Sequence, residues 1–461
     1  MAIIKSISGI RGTIGGKPGL NLTPPDIIRF CAAYASIIKE KSDKPAVVIG
    51  RDGRISGEML QGLVVGTLLS MGVDVISLGL STTPTVEMEV VRKEAQGGII
   101  LTASHNPKEW NALKLLNEKG EFISGELGKE LITRADDWVF EYVPVNKLGT
   151  LSVVEDALED HIEKILALPL VNVEAIKEKK FKIAVDGINS TGATSVPALL
   201  KALGVDQVKV INEEVNGQFA HMPEPLPENL RGLMELVKTE RFDLGIAVDP
   251  DVDRLAFVQD DGEYFGEEYT LVSIAKYVLS KTPGATVSNL SSTRALKEIT
   301  EKVDCSYFAS AVGEVNVVEK MKEVDAVIGG EGNGGVIYPA LHYGRDALVG
   351  IALFLSQLAE TKDISSILRK KLPSYHIKKG KIQLPEGIDL DHVLDGLKAK
   401  YSKQEMDETD GLKLYFDQDW VHMRKSNTEP IIRIYTESDS ETTAQTLTEK
   451  IQKDVGDFLK A

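Results

Sequence analysis

Three aspartates at alternate positions, Asp249, Asp251 and Asp253, close the apolar run Leu244-Gly245-Ile246-Ala247-Val248 and are followed at once by Arg254. Alternate residues of an extended chain share a face, so a turn at the strand end could gather three carboxylates on one hard cation, most simply Mg²⁺. An EF-hand is excluded, because Arg254 and Asp260 stand where that loop needs its glycine and its closing glutamate. Taken alone, the string also fits a solvated acidic turn. A second apolar run, Gly98-Ile99-Ile100-Leu101, leads into Thr102-Ala103-Ser104-His105-Asn106-Pro107 and presents a serine at a strand's carboxyl end, where α/β proteins bind ligands. The G-x-S-x-G elbow of hydrolases is absent, which disfavours acyl transfer. A simple turn is the other reading. Lys114, further along the same segment, could return to this cleft as an acid or base, or solvate a strand edge.

Three more strings could bind anions or sugars. Ser8-Gly9-Ile10-Arg11-Gly12 sets an arginine between glycines, where backbone and guanidinium could both approach an anion. Gly329-Gly330-Glu331-Gly332-Asn333-Gly334-Gly335 offers one carboxylate and one carboxamide on a pliable backbone, groups that suit sugar hydroxyls. Arg424-Lys425-Ser426-Asn427-Thr428-Glu429-Pro430, with Arg433 close behind, combines cations, hydroxyls and turn amides into a phosphate cradle. Each string by itself also fits an unliganded turn.

These side chains need scaffolding, and the pattern supplies it. Val47-Val48-Ile49, Lys182-Ile183-Ala184-Val185 and Ala285-Thr286-Val287 each precede a small or polar turn, an amphipathic helix and another strand, the signature of βαβ units in largely parallel sheets. Three similar mixed α/β domains are expected, over residues 1–148, 149–254 and 255–372. The tail, 373–461, reads as a smaller α+β domain, with strands at Leu412-Lys413-Leu414-Tyr415-Phe416 and Ile431-Ile432-Arg433-Ile434-Tyr435 and a helix from about Ser440. The charged stretch from Pro373 to Pro385 is the expected linker.

The 461 residues carry 69 acidic and 53 basic side chains, a formal charge of -16 that opposes nonspecific attraction to nucleic acid or an anionic membrane. A few converging arginines can still bind a small phosphorylated ligand. Only two cysteines, Cys31 and Cys305, are present, so neither a disulfide framework nor a thiolate metal site is supported. With no secretion signal at Met1-Ala2-Ile3-Ile4-Lys5-Ser6 and no long apolar span, a cytoplasmic protein is expected.

Taken together and in this order, the strings closely resemble the α-D-phosphohexomutase superfamily of phosphoglucomutases, phosphomannomutases and phosphoglucosamine mutases, over nearly the whole chain. The resemblance implies four domains around a central active-site cleft. It implies that Ser104 is phosphorylated, that Asp249, Asp251 and Asp253 bind one Mg²⁺ together with an oxygen on Ser104, and that Arg254 sits by the transferring phosphoryl group. His105 and Lys114 would lie near the reacting hydroxyl, with Lys114 favoured for acid/base work, and Arg11 would contact the active-site phosphate. Glu331 and Asn333 would bind sugar hydroxyls, while Arg424, Ser426, Asn427, Thr428 and Arg433 would hold the nonreacting phosphate. The implied activity interconverts hexose 6-phosphate and hexose 1-phosphate through a hexose 1,6-bisphosphate that also serves as activator. Asn333 stands where many relatives carry serine and Gly335 where many bacterial ones carry histidine, so the sugar is the least constrained feature. Glucosamine phosphate is the first choice, with mixed glucose and mannose specificity as the alternative. A Mg²⁺-dependent sugar phosphatase or a non-catalytic sugar-phosphate binder would be rivals of another class. The expected partner is a phosphosugar, with no nucleic acid or membrane, and the chain is expected to act as a monomer or homodimer.

Overall fold

The strands that carry the candidate loops are buried along their whole length, and apolar but for Glu331 at the end of the third. Gly97–Leu101, Leu244–Val248 and Ile328–Glu331 all lie inside sheets covered by helices, which is why they read as continuous runs rather than alternating ones. A computed structural model of the chain describes residues 3–6, 9–138, 140–384, 390–425 and 431–459. Its first sheet has seven strands, in the spatial order Ile4–Ser6, Gly9–Thr13, Trp110–Leu116, Gly97–Leu101, Ala46–Arg51, Asp74–Leu80, Leu151–Val153. Two four-stranded sheets follow, Leu255–Val258, Leu244–Val248, Lys182–Asp186, Gln207–Ile211 and then Tyr307–Ser310, Thr286–Asn289, Ile328–Glu331, Gly335–Ile337.

One device recurs in all three. The last of the parallel core strands turns back into an antiparallel neighbour: Gly97–Leu101 into Trp110–Leu116, Leu244–Val248 into Leu255–Val258, and Ile328–Glu331 into Gly335–Ile337. The three reversals contain Ser104, the three aspartates and Asn333. The repeat visible in the sequence therefore places the three loops at equivalent points of equivalent sheets.

The second and third units share one apolar core, in which Phe257 of the second sheet stacks on Phe354 of helix Ala347–Thr361 at 4.0 Å between ring centroids, with Phe265 edge-on to both. That helix is apolar on every side because it is buried on every side. The strand Leu151–Val153 pairs with the first sheet, and Leu255–Val258 completes the second. The expected boundaries after 148 and 254 would cut both strands off, so sheet membership moves each boundary a few residues later.

The tail is α+β as expected, with five antiparallel strands in the order His376–Gln383, Ile431–Ser438, Asp419–Lys425, Leu412–Phe416, Glu405–Asp407. Val393 and Leu397 of helix Leu390–Lys400, and Ile451 and Val455 of helix Glu441–Phe458, pack on one face against Leu412, Leu414, Met423 and Ile434. Here the linker expectation is corrected. His376–Gln383 is an eight-residue edge strand, and its lysines, which made it read as a linker, are the charges that protect a sheet edge from pairing with another chain.

The opposite face of this sheet meets the third unit. Lys413 Nζ donates to the Leu290 carbonyl at 2.7 Å, the amide of Arg294 donates to Glu437, and the amide of Val312 donates to Asp410. Buried His422 lies 2.8 Å through Nδ1 from the Ser291 hydroxyl and 2.6 Å through Nε2 from the Asp410 carbonyl. A carbonyl can only accept, so Nε2 carries the proton and Nδ1 accepts from the hydroxyl. Burial pushes the imidazole down to about 4 from an ordinary value of 6.5. Between those values the unfolded chain holds a proton that the folded chain does not, so stability must fall as pH falls through that window. Denaturant unfolding between pH 7 and pH 4 should show this loss, and His422→Gln should flatten part of it; an unchanged slope in the variant would rule His422 out as its source.

Candidate active site

Ser104 sits in the left-handed region, at φ 49, on a loop that an ordinary turn would not hold in place. Arg54 holds it. Its buried guanidinium donates to the carbonyls of Ser104 (2.5 Å), Asn106 (2.6 Å), Pro107 (2.7 Å) and Trp110 (2.9 Å) and to the carboxylate of Asp52 (3.0 Å). Thr102 links the same carboxylate to the serine, donating its hydroxyl to Asp52 at 2.7 Å and accepting the Ser104 amide at 2.9 Å. The serine hydroxyl then donates to Asp249 Oδ2 at 2.5 Å, and His105 Nδ1 stands 3.4 Å from it.

The aspartate loop is held as firmly. Val252 has φ 63, an outlier for a β-branched residue that costs on the order of 1–3 kcal/mol and must be imposed from outside. Ser190 and Thr191 donate to the Pro250 carbonyl, the Thr83 amide to the Asp251 carbonyl, and the Ala347 amide to the Val252 carbonyl. Elements from all three α/β units thus fix its shape. Asp249 Oδ1 accepts the amides of Asp253 and Arg254. Lys114 Nζ lies 2.6 Å from Asp251 and 3.1 Å from Asp253, and Thr83 Oγ1 donates to Asp251 at 2.6 Å.

All three aspartates are fully buried, and one ligand atom from each lies within 4.8 Å of the others. Asp251 Oδ1 and Asp253 Oδ1 are buried with no hydrogen-bond partner. Orphaned carboxylate oxygens are costly, and an all-oxygen set of this kind is the environment Mg²⁺ accepts. Burial, then repulsion from Asp251 and Asp253, raises Asp249 well above the usual carboxylate range. Burial pushes Asp253 the same way, but Arg345 and Lys114 overcome it and hold it low. Burial would also lower Lys114, yet the charges of Asp251 and Asp253 prevail and keep it an ammonium. His105 is driven well below its ordinary value by burial, Arg254 and Arg11, so its imidazole is neutral.

Other expected residues gather nearby. Arg254 is buried and pairs with Glu224 at 3.1 Å, and Arg11 Nη1 reaches Asn106 Oδ1 at 3.5 Å. Glu331 is buried, accepting from Asn289 (2.9 Å) and from the Gly313 amide (3.2 Å), while Asn333 caps its own turn through the Gly335 amide. Arg424 and Arg433 face each other at one register position of the last sheet. Ser426, Asn427 and Thr428 lie outside the described residues.

Two features escaped the sequence reading. Arg54 was hidden in a turn, although Arg51-Asp52-Gly53-Arg54 at a strand's carboxyl end is a signal that could have marked it. Arg345 was hidden at the start of an apolar helix. It donates to Asp253 (2.8 Å), Glu331 (2.8 Å) and Glu314 (3.0 Å), coupling the aspartate loop to the sugar loop.

A serine bonded to one of three clustered, buried aspartates, with arginines close by, is a site suited to phosphoryl transfer. Comparison with known proteins gives the class its name. The chain matches the phosphoglucomutase/phosphomannomutase α/β/α domains I, II and III over residues 3–141, 159–262 and 266–375, and the C-terminal domain over 381–453. It is 36% identical to a phosphoglucomutase/phosphomannomutase of Thermococcus kodakarensis, covering 94% of this chain and 95% of that one. It is 32% identical to a phosphoglucosamine/phosphogalactosamine mutase of Sulfurisphaera tokodaii, covering 96% and 97%. A crystal structure of a phosphoglucomutase/phosphomannomutase family protein from Burkholderia thailandensis superposes with a TM-score of 0.85 at 26% identity, covering 99% of this chain and 97% of that one. The chain belongs to the phosphoglucomutase/phosphomannomutase family of the α-D-phosphohexomutase superfamily, and it is a mutase, an isomerase of phosphosugars. Among the described residues no helix is long and apolar enough to cross a membrane.

Proposed function

We propose that the protein interconverts glucosamine 6-phosphate and glucosamine 1-phosphate through a phosphorylated Ser104 and a 1,6-bisphosphate. The observation that carries the mechanism is the 2.5 Å contact between the Ser104 hydroxyl and Asp249, which joins the nucleophile to the cation site. Asp249, Asp251 and Asp253 would hold Mg²⁺, which when bound supplies Lewis-acid stabilisation of the phosphoryl oxygens. In the half-reaction that begins from free Ser104, Oγ attacks one phosphate of the bisphosphate, and its proton, directed at Asp249 in the resting site, turns to the neutral His105 Nδ1, 3.4 Å away. The bond from phosphorus to the sugar oxygen breaks, and that oxygen takes its proton from the Lys114 ammonium. The other half-reaction reverses these steps at the opposite end of the sugar. The phosphoryl group carries its negative charge past Arg254 and Arg11, which stabilise it. Arg424 and Arg433, with Ser426, Asn427 and Thr428, hold the phosphate that is not reacting, and Glu331 and Asn333 meet the sugar hydroxyls.

An amino sugar is favoured by the S. tokodaii relative's name. The T. kodakarensis relative favours a second reading, mixed phosphoglucomutase and phosphomannomutase activity. Comparing kcat/KM for glucosamine 6-phosphate, glucose 1-phosphate and mannose 1-phosphate, each with its bisphosphate, decides between them. The amino sugar should lead, and a clear preference for either neutral sugar would establish the second reading. Chelation, or Asp251→Ala, should remove most of the turnover, and readdition of Mg²⁺ should restore it only in the unaltered enzyme. Full activity under chelation would refute the cation site.

A further inference from the structure

Among the described residues a second group of side chains converges closely enough to share a cation: His161, His342 and Asp346, with one ligand atom from each within 4.8 Å of the others. His161 and Asp346 are fully buried, and His342 is slightly exposed. Both rings turn Nε2 toward one oxygen, Asp346 Oδ2, at 2.9 Å for His161 and 3.3 Å for His342. The two ring planes are perpendicular, with centroids 6.3 Å apart. The other aspartate oxygen is already used, accepting the Leu348 and Val349 amides at the start of helix Ala347–Thr361.

The far side of each ring points the same way chemically. His161 Nδ1 is 2.9 Å from the Thr85 hydroxyl, and His342 Nδ1 is 3.5 Å from Glu87 Oε2. A metal-bound histidine turns its second nitrogen toward such an acceptor, which fixes the tautomer and orients the ring. Glu87 is the independent observation. It is 2% exposed, and neither of its carboxylate oxygens has a hydrogen-bond partner. Room has been made for it, since a Cβ on Gly344 would fall 1.9 Å from Oε2. Two buried carboxylates, Glu87 and Asp346, therefore flank two imidazoles. An acid beside His342 Nδ1 is the outer partner an imidazole takes when its Nε2 ligates a cation.

We propose that His161, His342 and Asp346 form a second metal site, separate from the aspartate triad, that binds a borderline transition ion such as Zn²⁺ with Glu87 as its outer partner. Two imidazoles and one carboxylate suit Zn²⁺ or its neighbours and do not suit Mg²⁺. The site joins three elements: helix Thr83–Arg92, helix Ala157–Leu166 and the segment before helix Ala347–Thr361. Thr83 starts the first and donates to Asp251, and Arg345 precedes Asp346 and donates to Asp253. The ion is thus a staple behind the active site, with no contact to the substrate.

Co²⁺ is the probe. Full-length enzyme stripped with chelator and kept in excess Mg²⁺ should take up one equivalent of Co²⁺ and develop the intense visible absorption of a tetrahedral nitrogen and oxygen site. Zn²⁺ should displace it and raise the midpoint of thermal unfolding. His342→Ala should abolish the absorption and the Zn²⁺-dependent shift while its circular dichroism stays native, and Asp251→Ala should keep both. Glu87→Gln, which leaves every ligand in place, should weaken Co²⁺ binding by about 10- to 100-fold. The proposal is overturned if the stripped enzyme takes up no Co²⁺ in excess Mg²⁺, or if His342→Ala and Glu87→Gln bind it as tightly as the unaltered chain. A proton shared among His342, Glu87 and Asp346 would then account for the cluster.

Discussion

Ser104→Ala is expected to lower kcat/KM for hexose phosphate isomerisation by about 10⁴-fold or more, the scale on which removing a covalent nucleophile acts. The fold should survive. Alanine tolerates φ 49 about as well as serine, and the loop is held by Arg54 and Thr102 through backbone atoms that the substitution leaves in place. The thermal midpoint of the variant should therefore stay close to that of the unaltered enzyme while turnover disappears. Undiminished turnover would mean that the phosphoryl group never passes through this serine. The split between lost rate and kept stability is the informative readout, because a merely structural serine would move both.

Arg54→Met should have the largest effect on stability. The substitution strands the Asp52 carboxylate in the interior and leaves the carbonyls of Ser104, Asn106, Pro107 and Trp110 without the donor they share. Removing one partner of a buried ion pair costs about 3–5 kcal/mol, mostly through the charge left behind. Burial already raises Asp52 with the arginine present, so without it the carboxyl would be protonated rather than charged. Denaturant unfolding of Arg54→Met, Asp52→Asn and Arg54→Met/Asp52→Asn separates the parts. The double variant should be less destabilised than the sum of the two single changes, by on the order of 1–3 kcal/mol. Additive losses would mean that the pair does not act as a unit. Turnover should fall in both, because the serine's left-handed turn loses its anchor.

The contrast between Ser104 and Arg54 explains what was legible in the sequence. Asp249, Asp251, Asp253 and Ser104 could be singled out because their spacing is local, alternate acids at one strand end and a serine at another, although each string alone also fitted a turn and only their order along the chain gave them roles. Arg345 and Glu314 could not, because each takes its meaning from partners that only the assembled sheets supply, and Arg54 showed only as a charged residue in a strand-end turn. Arg345 is one basic residue among many until Asp253, Glu331 and Glu314 close around it. Lys114 was legible as a residue of the cleft, but its state was not. Only its distances to two aspartates show that it keeps its proton. The edge strand His376–Gln383 failed for the opposite reason, since the lysines that guard a sheet edge are the composition of a linker.

Ser104 is expected to carry the phosphoryl group between the two ends of the sugar. Incubation of dephosphorylated enzyme with hexose 1,6-bisphosphate labelled in its phosphates, followed by peptide mapping, tests it most directly. The label should appear on the peptide that contains Ser104 and should pass into hexose monophosphate when unlabelled substrate is added, with little inorganic phosphate formed. Label on another residue, or its release chiefly as inorganic phosphate, would contradict the account.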